Sequence, residues 1–134
     1  MTRPWRTALR LSMLATDAGF VLYWLVVAAG VLPESWLYAD AHDPIVVAWN
    51  WSFLPLDLAI SATGFASLAL ERRRDPRWAP LAWLSLGLMA ASGLNAVSFF
   101  ALRGEYDPAW WIPNLWLVVA PAVFGGRWLA TEGR

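Results

Sequence analysis

The sequence predicts an all-α protein, an integral membrane four-helix bundle with both termini cytoplasmic, and three observations carry that prediction. Of the 134 residues, 59% are hydrophobic and only 15% are charged, against about 25% charged in an average soluble domain. Four apolar runs each reach the roughly 20 residues that a membrane-spanning helix needs. Nine of the ten arginines fall on one side of those runs, and the chain has no lysine. The whole of residues 1–134 is expected to form a single transmembrane domain, because four helices of about 25 residues nearly exhaust it.

The same composition excludes several functions. Zero cysteine removes a disulfide scaffold, thiolate catalysis and a zinc ribbon. Zero net charge without a long basic run argues against nucleic acid as a partner. No Gly-rich phosphate loop, serine triad or zinc-protease motif is present, and no cofactor is implied.

The first span is expected over about residues 7–32, interrupted by Arg10 and Asp17 and stopped by Gly30 and Pro33. Its positive start and Val27-Ala28-Ala29 resemble a signal peptide, but Asp17 and the length of the apolar run argue for a retained helix. The second span is expected over about 45–70 and carries Asn50 and Asp57. The third covers about 78–102 with Ser92 and Asn95, and the fourth about 109–130 with Asn114. Asp43-Pro44, Asp75-Pro76 and Asp107-Pro108 precede spans two, three and four. An aspartate caps the free N–H groups of a helix start, and proline at the first helical position loses no bond.

Orientation follows from the arginines. Arg3, Arg6 and Arg10 precede or open span one, Arg72, Arg73, Arg74 and Arg77 lie between spans two and three, and Arg127 and Arg134 end the chain. Arg103 alone lies on the other side, with Glu34, Asp40, Asp43, Glu105 and Asp107. The positive-inside rule then puts both termini in the cytoplasm.

Ionisable groups inside hydrocarbon cost several kcal/mol, so they normally face a cavity or a partner. Asp17 and Asp57 are the candidates, each about 15–20 Å from the cytoplasmic end of its span. Brought together by antiparallel spans one and two, they would share a proton or act as an acid/base pair. On span two, Asn50, Asp57, Ser61 and Gly64 form one helical stripe. Pro55 cannot bond the carbonyl of Trp51, so a kink is expected there. Tyr23, Asn50, Asn95 and Asn114 all fall in the outer half, and a shared polar cavity deepening toward Asp57 and Asp17 accounts for them. Most tryptophans suit interface belts, while Trp24, Trp51, Phe99 and Phe100 are candidates to hold a flat apolar ligand or a cation. Asp40, His42 and Asp43 are too few and too committed for a metal site. The segment from Pro33 to Tyr38 is expected to rest on the membrane surface as a lid.

The stretch from His42 to Asp57, HDPIVVAWNWSFLPLD, resembles the YvaD-like family of small bacterial membrane proteins. So do Glu34-Ser-Trp-Leu-Tyr38, Trp110-Trp-Ile-Pro-Asn-Leu115 and Ser92-Gly-Leu-Asn95. The resemblance implies four helices and a bacterial cytoplasmic membrane, and brings no activity with it. A second, weaker likeness is to the EXPERA group of sterol isomerases and lipid-binding receptors, through Asp17, Asp57, VLPESWLY and the proline-broken fourth span. It implies acidic residues in a membrane cavity.

These readings favour a protein that binds a lipophilic small molecule and acts as an acid/base isomerase or cyclase. Asp57 would donate the proton or stabilise a cation, Asp17 would assist it, and the asparagines would orient the ligand. A proton-coupled transporter working as a homo-oligomer, and a non-catalytic accessory protein, are the alternatives.

Overall fold

The computed structural model describes residues 2–37 and 40–132. Tyr38, the end of the expected lid, and Arg134, counted among the cytoplasmic arginines, lie outside the described residues.

Among the described residues the chain is all-helical. Helix α1 spans Arg3–Ala29, α2 Glu34–Leu37, α3 Pro44–Ser52, α4 Leu54–Arg72, α5 Trp78–Arg103 and α6 Pro108–Glu132. With α3 and α4 taken as one interrupted helix, four helices are long and apolar enough to cross a membrane. The first begins and ends a few residues earlier than expected. Gly30, in the left-handed conformation at φ 60°, closes it by donating to the Val27 carbonyl, a conformation that costs glycine nothing.

The three Asp-Pro pairs work as helix-start signals, with one difference. Asp43 Oδ1 accepts from Ile45 N at 2.8 Å, and Asp107 Oδ1 from Ala109 N at 2.8 Å, each with proline as the first helical residue. Asp75 Oδ1 likewise accepts from Arg77 N at 3.0 Å, but α5 starts only at Trp78. There the pair makes a turn that delivers the chain to the helix rather than its first turn.

The break between α3 and α4 falls at Phe53, two residues before Pro55. Phe53 N bonds Asn50 O at 3.1 Å, tightening the chain by one residue, and the ladder resumes at Asp57 N, which reaches Phe53 O at 2.8 Å. Proline thus interrupts the helix instead of only bending it.

Helix α4 packs against both α1 and α5, and α6 packs against α5 and returns to meet α1 at the arginine-rich end, where Trp5 lies edge-on to Phe124 and beneath Arg127. The α1–α4 seam is an antiparallel register with a seven-residue repeat. Arg10 meets Glu71, Asp17 meets Gly64 and Trp24 meets Asp57. A constant spacing of seven on both helices keeps one stripe facing its partner, as in coiled coils. The α4–α5 seam is tied by Ser85 Oγ to Ile60 O at 3.2 Å and Ser67 Oγ to Trp78 O at 2.9 Å. Between α5 and α6 the close approach is made by Gly93, where a Cβ would lie 2.7 Å from Leu117 Cβ. Leu86, Phe124 and Trp128 fill the core toward the end that carries the arginines, and Met89 and Leu117 continue it to the cavity.

Candidate functional site

Beyond their contact at Trp5 and Phe124, helices α1 and α6 part, and the space between residues 15–23 and 109–117 is a cavity of about 750 Å³. Phe20 and Tyr23 of α1, Trp49 and Phe53 around the α3–α4 break, Phe100 of α5 and Trp110 of α6 line it. Its floor is polar. Asp57 from α4 and Ser92 from α5 lie there, with Asn114 of α6 on the wall. The rim residues Ala15, Gly19, Ile112 and Pro113 are exposed, so the cavity opens sideways between α1 and α6. One hydrogen bond crosses that opening, from Trp116 Nε1 to Thr16 Oγ1 at 3.1 Å. Trp36 of the short helix α2 also reaches the cavity, so this segment covers one end of it.

Asp57 is 4% exposed, and both its oxygens are held. Trp24 Nε1 donates to Oδ2 at 2.9 Å and Ser92 Oγ donates to Oδ1 at 3.2 Å. A carboxylate oxygen accepts more than one hydrogen bond, so each retains acceptor capacity beyond its protein donor. The break at Phe53 places Asp57 in the first turn of α4, beside the aromatic wall.

Asp17 is placed differently. It is 1% exposed and does not line the cavity. Its carboxylate lies against the backbone of Gly64, where a Cβ would fall 1.9 Å from Oδ2. Gly64 is two turns beyond Asp57, about 10 Å along the helix. The two carboxylates therefore occupy different layers, and no hydrogen bond joins them. Oδ2 of Asp17 has no hydrogen-bond partner among the described residues. Ser61 Oγ bonds the backbone carbonyl of Asp17 at 3.1 Å, not its side chain.

The other candidates divide. Tyr23 lines the cavity and its hydroxyl donates to Asn50 Oδ1 at 3.1 Å, so Asn50 supports the wall from behind. Trp24 touches Asp57 from the packed side, with Trp51 tilted against it at 5.4 Å between ring centroids. Phe99 stacks on Trp49 at 3.8 Å and backs the lining residue rather than joining it. Asn114 Nδ2 donates to Trp110 O at 2.7 Å, spending one of its donors inside its own helix. Asn95 lies on the opposite face of α5 and is exposed. It shares that face with Gly87, Ala91 and Ser98, whereas the cavity takes Ser92, Ala96 and Phe100. Successive residues turn by about 100°, so with Ala96 facing the cavity its neighbour Asn95 is carried to the exposed stripe. Sequence reasoning did not single out Thr16, Phe20 or Trp116, which carry no intramembrane charge to draw notice. Asp40 pairs with Arg103, and Asp43 caps α3.

Residues 9–134 match a family model described as a family of unknown function (DUF5360). The uncharacterized protein YvaD of Bacillus subtilis (strain 168) is 43% identical over 126 residues, covering 94% of each chain. No solved structure matches the chain. The chain belongs to this family, the YvaD-like proteins.

Proposed function

We propose that this member of the YvaD-like family is a multi-pass protein of the bacterial cytoplasmic membrane that takes a lipophilic small molecule into the α1–α6 cavity from the side. The observation that carries the reading is the pairing of a laterally open, aromatic-walled cavity of about 750 Å³ with a buried carboxylate on its floor. Ligand sites are concave and mostly apolar, with a few placed polar groups that fix orientation. Asp57, Ser92, Tyr23 and Asn114 are those groups here. The arginines at the end where α1 begins put both termini in the cytoplasm, and the cavity then lies in the outer half of the bilayer.

Asp57 is the group with chemistry. Held by Trp24 and Ser92, it is oriented before any ligand arrives, which lowers the cost of binding. It accepts a hydrogen bond from a ligand, faces a positive charge, or exchanges a proton at Oδ1 or Oδ2. The acid/base isomerase or cyclase reading rests on this residue, with Asp17 acting from its own layer by packing rather than by contact.

The test is mass spectrometry of lipophilic compounds retained by the full-length protein purified in mild detergent. Asp57→Asn and Ala96→Trp, which fills the cavity from α5, are both expected to lose the compound while retaining helical content and yield. Normal retention by both variants would overturn the reading.

A further inference from the structure

A second concavity lies at the opposite end of the bundle, and no part of the proposed function uses it. It is a groove of about 230 Å³ between the first turns of α1 and the last turn of α4. Arg10 and Arg72 line its mouth, and Leu11, Leu14 and Leu68 form the wall that continues toward the apolar belt. Glu71, with a side chain 6% exposed, sits at its base.

We propose that this groove holds the phosphodiester headgroup of an anionic phospholipid, with an acyl chain lying along Leu11 and Leu14. Glu71 does not repel such a headgroup, because two guanidiniums share its one charge. Arg10 Nε and Nη2 bond its oxygens at 2.6 and 2.9 Å, and Arg6 Nη2 bonds Oε1 at 3.0 Å. The clamp fixes Arg10 while its second terminal nitrogen, Nη1, makes no bond to Glu71. Arg72 makes no ion pair with the described residues, so its fork of donors is open, and planar guanidinium donors match phosphate oxygens. The Thr7 hydroxyl is spent on the Arg3 carbonyl, which leaves recognition to the arginines. At the other end of the bundle the one arginine, Arg103, is committed to Asp40 and Glu105. Free guanidiniums beside an apolar wall therefore occur at the arginine-rich end, where a leaflet with anionic headgroups supplies the complementary charge. Leu11 and Leu14, 61% and 43% exposed, favour a lipid over a free anion, which would leave them uncovered.

The inference rests on the helices spanning a membrane and not on the cavity between α1 and α6, so Asp57→Asn leaves it untouched. Delipidated full-length protein would be incubated with phosphatidylglycerol, with phosphatidylcholine of the same acyl chains, or with inorganic phosphate, and adducts counted by native mass spectrometry. Phosphatidylglycerol is expected to be retained preferentially, and Arg72→Gln to lower its retention about fivefold, the effect of one surface guanidinium. Arg73→Gln, an equal loss of charge one residue outside the groove, is expected to leave retention unchanged. Equal retention of the two lipids, equal losses in both variants, or displacement of phosphatidylglycerol by inorganic phosphate would each overturn the site.

Discussion

Helix α1 presents two sides of opposite character. Toward α4 it is closed. Three layers seven residues apart, Arg10–Glu71, Asp17–Gly64 and Trp24–Asp57, hold the two helices together, and the seam opens only as the surface groove at its arginine-rich end. Toward α6 it is open over its outer half, with a cavity of about 750 Å³ crossed by the Trp116–Thr16 bond. The difference shows that polar residues within an apolar helix serve two ends. Between helices that already touch, they set register. Where helices part, the same kind of group becomes available to a ligand, and Asp57 belongs to both arrangements because it lies where seam and cavity meet.

The largest loss of stability is expected at the middle layer of the seam. Gly64→Leu would drive a side chain into the Asp17 carboxylate, since a Cβ alone would stand 1.9 Å from Oδ2. Overpacking usually costs about 1–3 kcal/mol and occasionally more, and a collision with a buried carboxylate against backbone belongs at the upper end. Thermal unfolding in detergent should show the lowest Tm of the variants considered. Trp24→Phe keeps the ring but removes the donor to Asp57 Oδ2, and a drop of about 2 kcal/mol is expected. If that variant also loses co-purifying lipophilic compound, orientation of Asp57 by the seam matters to the cavity. Unchanged retention would separate the two regions.

Gly93→Ala acts on the far wall. Its Cβ would stand 2.7 Å from Leu117 Cβ and 2.8 Å from Asn114 O, so α6 must shift, at about 1–2 kcal/mol. Because Leu117 and Asn114 line the cavity, retention should change with stability, unlike a substitution confined to the seam. Trp116→Phe removes the bond across the opening at a cost of about 1 kcal/mol or less. Tm should barely move while exchange of a bound compound, followed by chase with unlabelled compound, becomes faster.

The smallest effect lies outside both regions. Asp75, partly exposed in the turn before α5, has its carboxyl held down to about 2, chiefly by the hydrogen bond from the Arg77 side chain. A carboxyl lowered on folding contributes above its ordinary value of 3.8, and the contribution is lost as pH falls through about 2. The Asp75 carboxyl carbon should therefore titrate near pH 2 by NMR, with helical content constant from pH 8 to 4.

Some of the candidate site was legible because its cause is local. A carboxylate within an apolar run marks Asp17 and Asp57 whatever surrounds them, and Pro55 announces the break that sets Asp57 at a helix start. Glu71 was legible in principle too, since Arg6 and Arg10 sit four residues apart on one face of α1, but a charge near a helix end attracts no notice. Asn95 was not legible. Helix α5 carries small and polar residues on two stripes, Ser85 and Ser92 on one and Gly87, Asn95 and Ser98 on the other. Composition does not say which stripe meets a neighbour.

By itself, then, the sequence determined the four apolar helices, two of the three Asp-Pro starts, an irregularity near Pro55 and the sorting of arginines to one end. Each depends on interactions within a few residues or on the transfer of one segment out of water. Only the tertiary structure decided that Asp17 packs against Gly64 while Asp57 faces a cavity, that Asn95 turns away, and that α1 and α6 meet at one end and part at the other. Those outcomes depend on where each helix is rotated about its axis, and rotation is fixed by the partner's surface rather than by the helix's own residues.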